Sequence, residues 1–498
     1  MASEDPATAS TSPAAPGRSG PGTEARSFLG QPHGLANLFS VELWERFSFY
    51  GMQGIVLLYM YYQATEGGLG IDRTVAAGIV GAYGGSVYLF SILGGWVADR
   101  VLGAERTMFV SAVLIMAGHV ALAVVPGVVG LGIGLILVAL GSGGLKATIT
   151  NLVGALYTED DPRRDAGFSI FYMGINIGGL LGPLLTGFVQ EEWGFHLGFG
   201  LAAVGMAIGL VQYALARRSM PHPTRRVPDP LPREQYGRYI AIAVGAVAVI
   251  VVAALTGLLT PGNLADVVVF TTAVAAVVLF AILLTSSKVK GDEHSRVLSF
   301  IPMFIGSVAF WALFQQQFTV ITIYSETRLN RDLGGWTMPI PWVQSFNPFF
   351  IILLAPVFAA LWTRLGRRQP TTPVKFSLGV MLMGAAFLIF LPMAGTSAVP
   401  VLWIALIMLV ATGGELMLSP VGLSLSTKLA PKAYPVLMVA LFYLSVALGT
   451  ALSGSLAGFY SEDNEVAYFG TLGAVTIGIG LVLLALAPRI TRAMRGIR

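Results

Sequence analysis

The chain has 498 residues, 55% hydrophobic and only 11% charged, with a formal net charge of +4. A soluble domain carries about 25% charged residues, so a soluble fold is excluded and the chain reads as an integral membrane protein. Zero cysteines exclude a disulfide scaffold, thiol catalysis and thiolate metal sites, and the five His (33, 119, 196, 222 and 294) lack metal-ligand spacing, so neither a metal nor a cofactor is expected.

Residues 1–34 are rich in Ala, Ser, Thr, Pro and Gly without an apolar run, which predicts a disordered tail. They lack the apolar core of a secretory signal, so the first spanning helix is expected to direct insertion. Apolar spans follow near 36–62, 75–98, 106–126, 128–156, 167–190, 196–215, 239–260, 264–286, 297–326, 343–363, 374–394, 399–427, 433–460 and 466–487. Each is close to the roughly 20 residues that cross a hydrocarbon core of about 30 Å, which predicts an all-α fold of fourteen transmembrane helices.

Alternate loops, counted with both tails, hold 25 of the 30 Lys and Arg. The opposite side has only Arg73, Arg328 and Arg331, leaving Arg46 and Lys146 at membrane depth. This bias predicts a multi-pass protein of the cytoplasmic membrane with both termini in the cytoplasm. Positive charge placed this way does not imply nucleic acid.

If the spans from 239 to 286 are set aside as an insertion, an internal repeat emerges. Trp96-Val97-Ala98-Asp99-Arg100 with Gly103 matches Trp362-Thr363-Arg364 with Gly366, and Gly143-Gly144-Leu145-Lys146 matches Gly413-Gly414-Glu415. Phe171-Tyr172 with Gly178 matches Phe442-Tyr443 with Gly449. The expected organisation is a cytoplasmic tail over 1–34, a six-helix bundle over 35–216, and linkers with two inserted helices over 217–296. A second six-helix bundle over 297–488 and a basic tail over 489–498 complete it.

The chemistry lies in charge at membrane depth, which costs about 2.5 to 3.5 kcal/mol per residue on insertion scales. Glu42, Glu45, Arg46, Lys146 and Glu415 therefore need partners or a water-filled cavity. On a helix, Glu42, Glu45, Arg46, Phe49, Tyr50 and Gln53 fall within an arc of roughly 140°. Structural salt bridges alone explain the distribution poorly, because the cations lie in the first half and Glu415 stands alone in the second. A zwitterion fits, with its carboxylate near Arg46 and Lys146 and its amino group near Glu415, which points to an amino acid or short peptide. The helix 1 carboxylates beside Arg46 suit a proton relay. Tyr50 and Tyr88 could add hydroxyls to the cavity wall, and Trp311 with Gln315 one turn later shares a face in the second half. The four-residue spacing of Gly174, Gly178 and Gly182 reads mainly as close helix packing. Gly141–Thr148 imitates a phosphate loop, but no strand precedes it and its last Gly and Lys are not adjacent, so nucleotide binding is rejected. Neither a Gly-x-Ser-x-Gly elbow nor a His-Glu-x-x-His motif occurs, and no enzyme is expected.

These residues resemble the proton-coupled oligopeptide transporters, the POT or PTR family of the major facilitator superfamily. Glu42-x-x-Glu45-Arg46-Phe47 with Tyr50-Gly51 looks like the family's ExxERF motif, and Gly94-Gly95-Trp96-Val97-Ala98-Asp99-Arg100 like its first signature. Lys146 with Asn151-Leu152-Val153-Gly154 resembles the helix 4 lysine region. Phe171-Tyr172-x-x-x-Asn176-x-Gly178 resembles the FYxxIN signature, and Glu415-Leu416-x-x-Ser419-Pro420-x-Gly422-Leu423 the helix 10 motif. The resemblance implies a major facilitator fold of the bacterial fourteen-helix type, which imports dipeptides and tripeptides with protons by alternating access. It assigns Glu42, Glu45, Arg46, Lys146 and the Gln315 position to proton coupling and Asp99 to the cytoplasmic gate. Arg46, Tyr50, Tyr88, Lys146, Asn176, Trp311, Asn347, Glu415 and Ser419 would bind substrate, and a monomer in the lipid bilayer is expected.

Three departures matter. Phe49 stands where many members have Tyr, Gln53 where bacterial members often carry a second Arg, and Gln315 where the family usually has a glutamate. That glutamate is thought to exchange a salt bridge with helix 1, and Gln cannot ionise. Either coupling rests on the helix 1 pair, or an introduced Glu-to-Gln change mimics the protonated state; the sequence leaves both open. Nitrate, a modified peptide or another organic anion is the alternative cargo, and a non-transporting membrane receptor is the rival class.

Overall fold

Three charged side chains within one apolar segment mark the first helix. The computed structural model describes residues 28–158, 161–217, 224 and 226–497. Residues 1–27 of the expected tail and residue 498 lie outside them. Among the described residues, thirteen helices are long and apolar enough to cross a membrane. The fourteenth span is α1 (His33–Tyr61), whose 29 residues cover about 43 Å at 1.5 Å each but carry Glu42, Glu45 and Arg46.

The first half continues with α2 (Arg73–Val97), α3 (Ala104–Val124), α4 (Gly127–Gly154), α5 (Arg164–Trp193) and α6 (Phe195–Ala216). The inserted pair is α7 (Tyr236–Leu255) and α8 (Leu264–Thr285). The second half comprises α9 (Asp292–Phe314), α10 (Val320–Thr327), α11 (Phe346–Leu365), α12 (Thr372–Leu388), α13 (Val401–Leu429), α14 (Pro435–Ala457) and α15 (Glu465–Ala493).

One boundary differs from the sequence expectation. The span expected to be continuous over 297–326 breaks into α9, a 3-10 turn at Gln315–Phe318, and α10, with Thr319 at φ −126°, ψ −97°. Neither Pro nor Gly marks this break, so the sequence carries no signal for it. Elsewhere the helices follow the apolar runs, because a helix satisfies every backbone hydrogen bond within its own segment.

The two halves repeat their packing. In the first, α1 lies against α5 and α6, α3 against α4 and α6, and α2 against α4. In the second, α9 lies against α14 and α15, α12 against α13 and α15, and α11 against α13. The repeat thus pairs α1 with α9 and α2 with α11, then α3 to α6 with α12 to α15 in order. The halves meet along α2 with α14 and, symmetrically, α5 with α11. This is the major facilitator architecture of two six-helix halves plus a two-helix insertion.

Glycines permit two equivalent close approaches. A Cβ at Gly178 of α5 would lie 2.9 Å from the Arg46 Cβ of α1, and one at Gly449 of α14 would lie 2.6 Å from the Trp311 Cβ of α9. Of the inserted helices α7 sits outside the core, whereas α8 contributes Ala276 and Leu283 to it. None of the residues of α7 is buried, and its Ile240, Val244 and Val247 are more than half exposed, as lipid contact requires. Helix α8 touches α2 of one half and α9 and α14 of the other. Its Asp266 accepts a 2.7 Å hydrogen bond from Ser455 of α14. The linker before α7 is tied to the turn after α2: Asp229 N donates to Asp99 O (3.0 Å), Leu231 N donates to Arg100 O (2.9 Å), and Arg100 pairs with Asp229.

Candidate functional site

A cavity lies between the halves, holding about 940 Å³ of atom-free space including open solvent. It is sealed toward the end where α1 finishes and α2 starts. There Trp342 Nε1 donates to Leu184 O and Ser345 Oγ to Leu180 O, each at 2.9 Å, joining the segment before α11 to α5. A Cβ at Gly81 would sit 2.5 Å from Gly454 Cα, so α2 and α14 touch backbone to backbone. Farther out, Tyr61 Oη donates to Glu326 Oε2 (2.7 Å) and Arg73 Nη2 pairs with the same oxygen at 3.2 Å. Toward the end that carries the termini, Tyr172 and Leu423 are 42% and 37% exposed.

The helix 1 charges form a closed cluster beside the cavity. Arg46 Nε donates to Glu42 Oε1 at 2.8 Å and lies equally close to Glu45 Oε2. Glu45 Oε2 is buried without a hydrogen bond and is held by the charge of Arg46. Glu45 Oε1 accepts from Ser142 Oγ at 3.0 Å, linking α1 to α4. Glu42 Oε2 is buried without a hydrogen-bond partner. All three side chains are at most 5% exposed, and none of them lines the cavity. Arg46, expected to touch substrate, thus sits behind Phe49, with its guanidinium 5.7 Å from that ring's centre.

Lys146 is placed differently. It lines the cavity, with Nζ 4.6 Å from the centre of the Tyr88 ring and 5.4 Å from that of Phe49. Among the described residues no carboxylate oxygen lies within 4 Å of it. Two aromatic faces attract the ammonium at close range, and the Glu45 and Glu42 carboxylates act on it from farther away.

The second half supplies the opposite charge. Glu415 of α13 lines the cavity and accepts from Asn347 Nδ2 at 2.8 Å, and the same nitrogen lies 3.0 Å from Thr412 Oγ1. Asn176 donates through Nδ2 to Tyr172 O (2.9 Å), which leaves its carbonyl oxygen available. Trp311 Nε1 is a buried donor without a partner. Tyr50, Tyr88, Asn176, Trp311, Gln315, Asn347, Glu415 and Ser419 all line this one cavity, as does Gln53. Asp99 lies far from it, exposed in the turn that closes α2, where its carbonyl takes the linker hydrogen bond.

Sequence reasoning missed Gln344, Phe318, Tyr172 and Thr450 on the cavity wall. Phe318 stacks on Tyr50 at 6.1 Å and Gln344 donates to Thr322 Oγ1 at 3.2 Å. A polar Gln within the apolar stretch before α11 was the one available signal. The cavity can hold a ligand with separated charges: a cation without a partner on α4, a carboxylate on α13, and amide groups between them.

A model of the POT family matches residues 105–475. The chain is similar to the uncharacterized transporter YclF of Bacillus subtilis (strain 168), with 44% identity over 95% of this chain and 97% of that protein. It is 41% identical to a di-/tripeptide transporter of Lactococcus lactis subsp. cremoris, covering 95% and 98% of the two chains. Among solved structures it resembles a Glu-to-Gln mutant of peptide transporter POT in complex with alafosfalin, with a TM-score of 0.90, 45% identity, and coverage of 95% and 98%.

Proposed function

From the premise that this chain belongs to the POT family, we propose that it is a proton-coupled symporter that imports dipeptides and tripeptides by alternating access. It works as a monomer in the cytoplasmic membrane, with both termini in the cytoplasm. The observation that carries this reading is a pair of opposed charges in one cavity: Lys146 with no acid partner among the described residues, and Glu415 on the facing half.

The peptide carboxylate pairs with Lys146, which lines the cavity and has no carboxylate within 4 Å among the described residues. The peptide amino group goes to Glu415, with Asn347 holding that carboxylate and Asn176 offering its carbonyl to the peptide backbone. Tyr50, Tyr88 and Trp311 enclose the side chains, and Ser419 adds a hydroxyl. Cation bias in the loops supports a cytoplasmic opening for the cavity, so the structure corresponds to an inward-facing state.

Proton coupling falls to Glu42, Glu45 and Arg46 together with Lys146, since Gln315 cannot titrate. The cluster is compact: Arg46 Nε lies 2.8 Å from an oxygen of each carboxylate, while Glu42 Oε2 and Glu45 Oε2 are buried without a hydrogen-bond donor. Asp99 belongs to the gate on the terminus side. One proton moving down 100 mV supplies about 2.3 kcal/mol, enough for roughly fortyfold accumulation at 1.4 kcal/mol per decade.

Counterflow of labelled dialanine in liposomes tests transport without relying on coupling, and accumulation under an imposed proton gradient tests the coupling. Glu415→Ala removes a charge-assisted contact worth about 1.5 to 3 kcal/mol, so apparent affinity should fall roughly 10- to 100-fold. Unchanged affinity in that variant would rule out amino-group recognition by Glu415.

A further inference from the structure

At the end of the bundle that carries both termini, the last turns of α15 and the first turn of α9 form a small basic basket. Arg489, Arg492 and Arg495 line it together with Ser295. Two bonds hold its walls together: Ser295 Oγ donates to Ala493 O (2.9 Å) and Arg296 Nη2 to Arg495 O (3.5 Å).

Three features of the basket go beyond the general preference for cations on one side of a membrane. First, Arg489 and Arg492 have no carboxylate within 4 Å among the described residues, and they stand three residues apart on one face of α15. Arg495 does have one, Asp292 at 3.3 Å, but both side chains are more than half exposed, where an ion pair contributes little. Second, Nε of the neighbouring Arg296 is a buried donor with no acceptor. Third, Arg495 adopts φ +50°, a conformation usually left to glycine, although Gly496 is the next residue. The backbone there disfavours a side chain, yet the residue is an arginine, and it lines the basket with the other two.

About two to four turns inward along α15, Leu481, Val482 and Val475 are more than half exposed. An apolar surface therefore leads directly to the basket. A ligand that matches both parts has a phosphate at one end and acyl chains at the other, since guanidinium forks bind phosphate oxygens in pairs.

We propose that Arg489, Arg492, Arg495 and Ser295 bind the phosphate of an anionic phospholipid headgroup. The lipid pins the start of α9 to the end of α15 at the membrane surface. Free phosphate shares the headgroup chemistry but would not use the apolar track, and this separates the two sources.

The test is native mass spectrometry of the full-length protein titrated with phosphatidylglycerol or phosphatidylcholine. Phosphatidylglycerol should bind at least about tenfold tighter than phosphatidylcholine, and Arg489→Gln/Arg492→Gln should weaken it about 30-fold, given roughly 1 kcal/mol per cation. Arg489→Lys/Arg492→Lys keeps the charge and should retain most of the preference, which guards against a folding defect in the Gln variant. Dialanine counterflow should proceed in both variants, since neither residue lines the transport cavity. Equal binding of the two lipids, or unchanged binding in the Gln variant, would overturn the site. Displacement of phosphatidylglycerol by millimolar inorganic phosphate would overturn the lipid assignment.

Discussion

Gln53 on α1 and Gln315 after α9 line the same cavity, at 4% and 8% exposure, where the 3-10 turn Gln315–Phe318 meets α1. The resemblance places Arg often at the first position and Glu usually at the second, so two neutral amides stand where opposite charges are expected, and the net charge is unaltered. One change alone would leave an unanswered charge at membrane depth, which is costly. Gln53→Arg and Gln315→Glu should each lower thermal stability, and the double variant should recover more than their sum by about 0.5 to 3 kcal/mol. A double-mutant cycle by thermal melting measures this, and zero coupling would mean that the two positions act independently. Lys146 and Glu415 were legible in the sequence because a charged side chain in an apolar run is conspicuous, whereas Asn176 and Asn347 came only with the family resemblance. Phe318 and Ile351 were not, since an apolar residue on a cavity wall looks like one facing lipid. Helical periodicity put Arg46 and Phe49 on one arc, but only the neighbouring helices determine that Phe49 covers Arg46.

Among the elements, the repeat is written most clearly in its glycines. Gly178 and Gly449 occupy equivalent places against α1 and α9, at the level of Arg46 and Trp311, the helix pairs that carry the coupling cluster and the cavity tryptophan. Gly178→Ala and Gly449→Ala should each cost about 1 to 3 kcal/mol, because the added methyl meets backbone and Cβ atoms that cannot rotate away. Gly132→Ala in α4, with nothing within 4 Å of the new methyl, should instead gain up to about 1 kcal/mol. Melting temperatures of the three variants in detergent check the contrast. Helix number and order followed directly from apolar run length. The break at Thr319 did not, because it arises where α9 gives way to the cavity and tertiary contacts replace intrahelical bonds, as Thr322 Oγ1 donating to Gln317 O does.

For the whole molecule, the closed end holds the two halves together through small contacts that can be undone. Arg73 and Glu326 form an ion pair 48% and 19% exposed, supported by Tyr61 Oη on the same carboxylate and by the Tyr61 ring 5.1 Å from the guanidinium. An exposed pair contributes up to about 1 kcal/mol, so Glu326→Gln should raise the population opened at this end by roughly fivefold. Distances between spin labels placed on either side of that end would report the shift, and an unchanged distribution would remove this pair from the latch.

The insertion is anchored at both extremes. Its linker is hydrogen-bonded to Asp99 and Arg100 at the foot of α2, while Asp266 of α8 is bonded to Ser455 of α14 in the opposite half. A segment fixed to two bodies that rotate against each other acts as a tether. Its slack sets how far they can swing before one anchor must release, so α7 and α8, though remote from the peptide, are positioned to limit the stroke of the transporter.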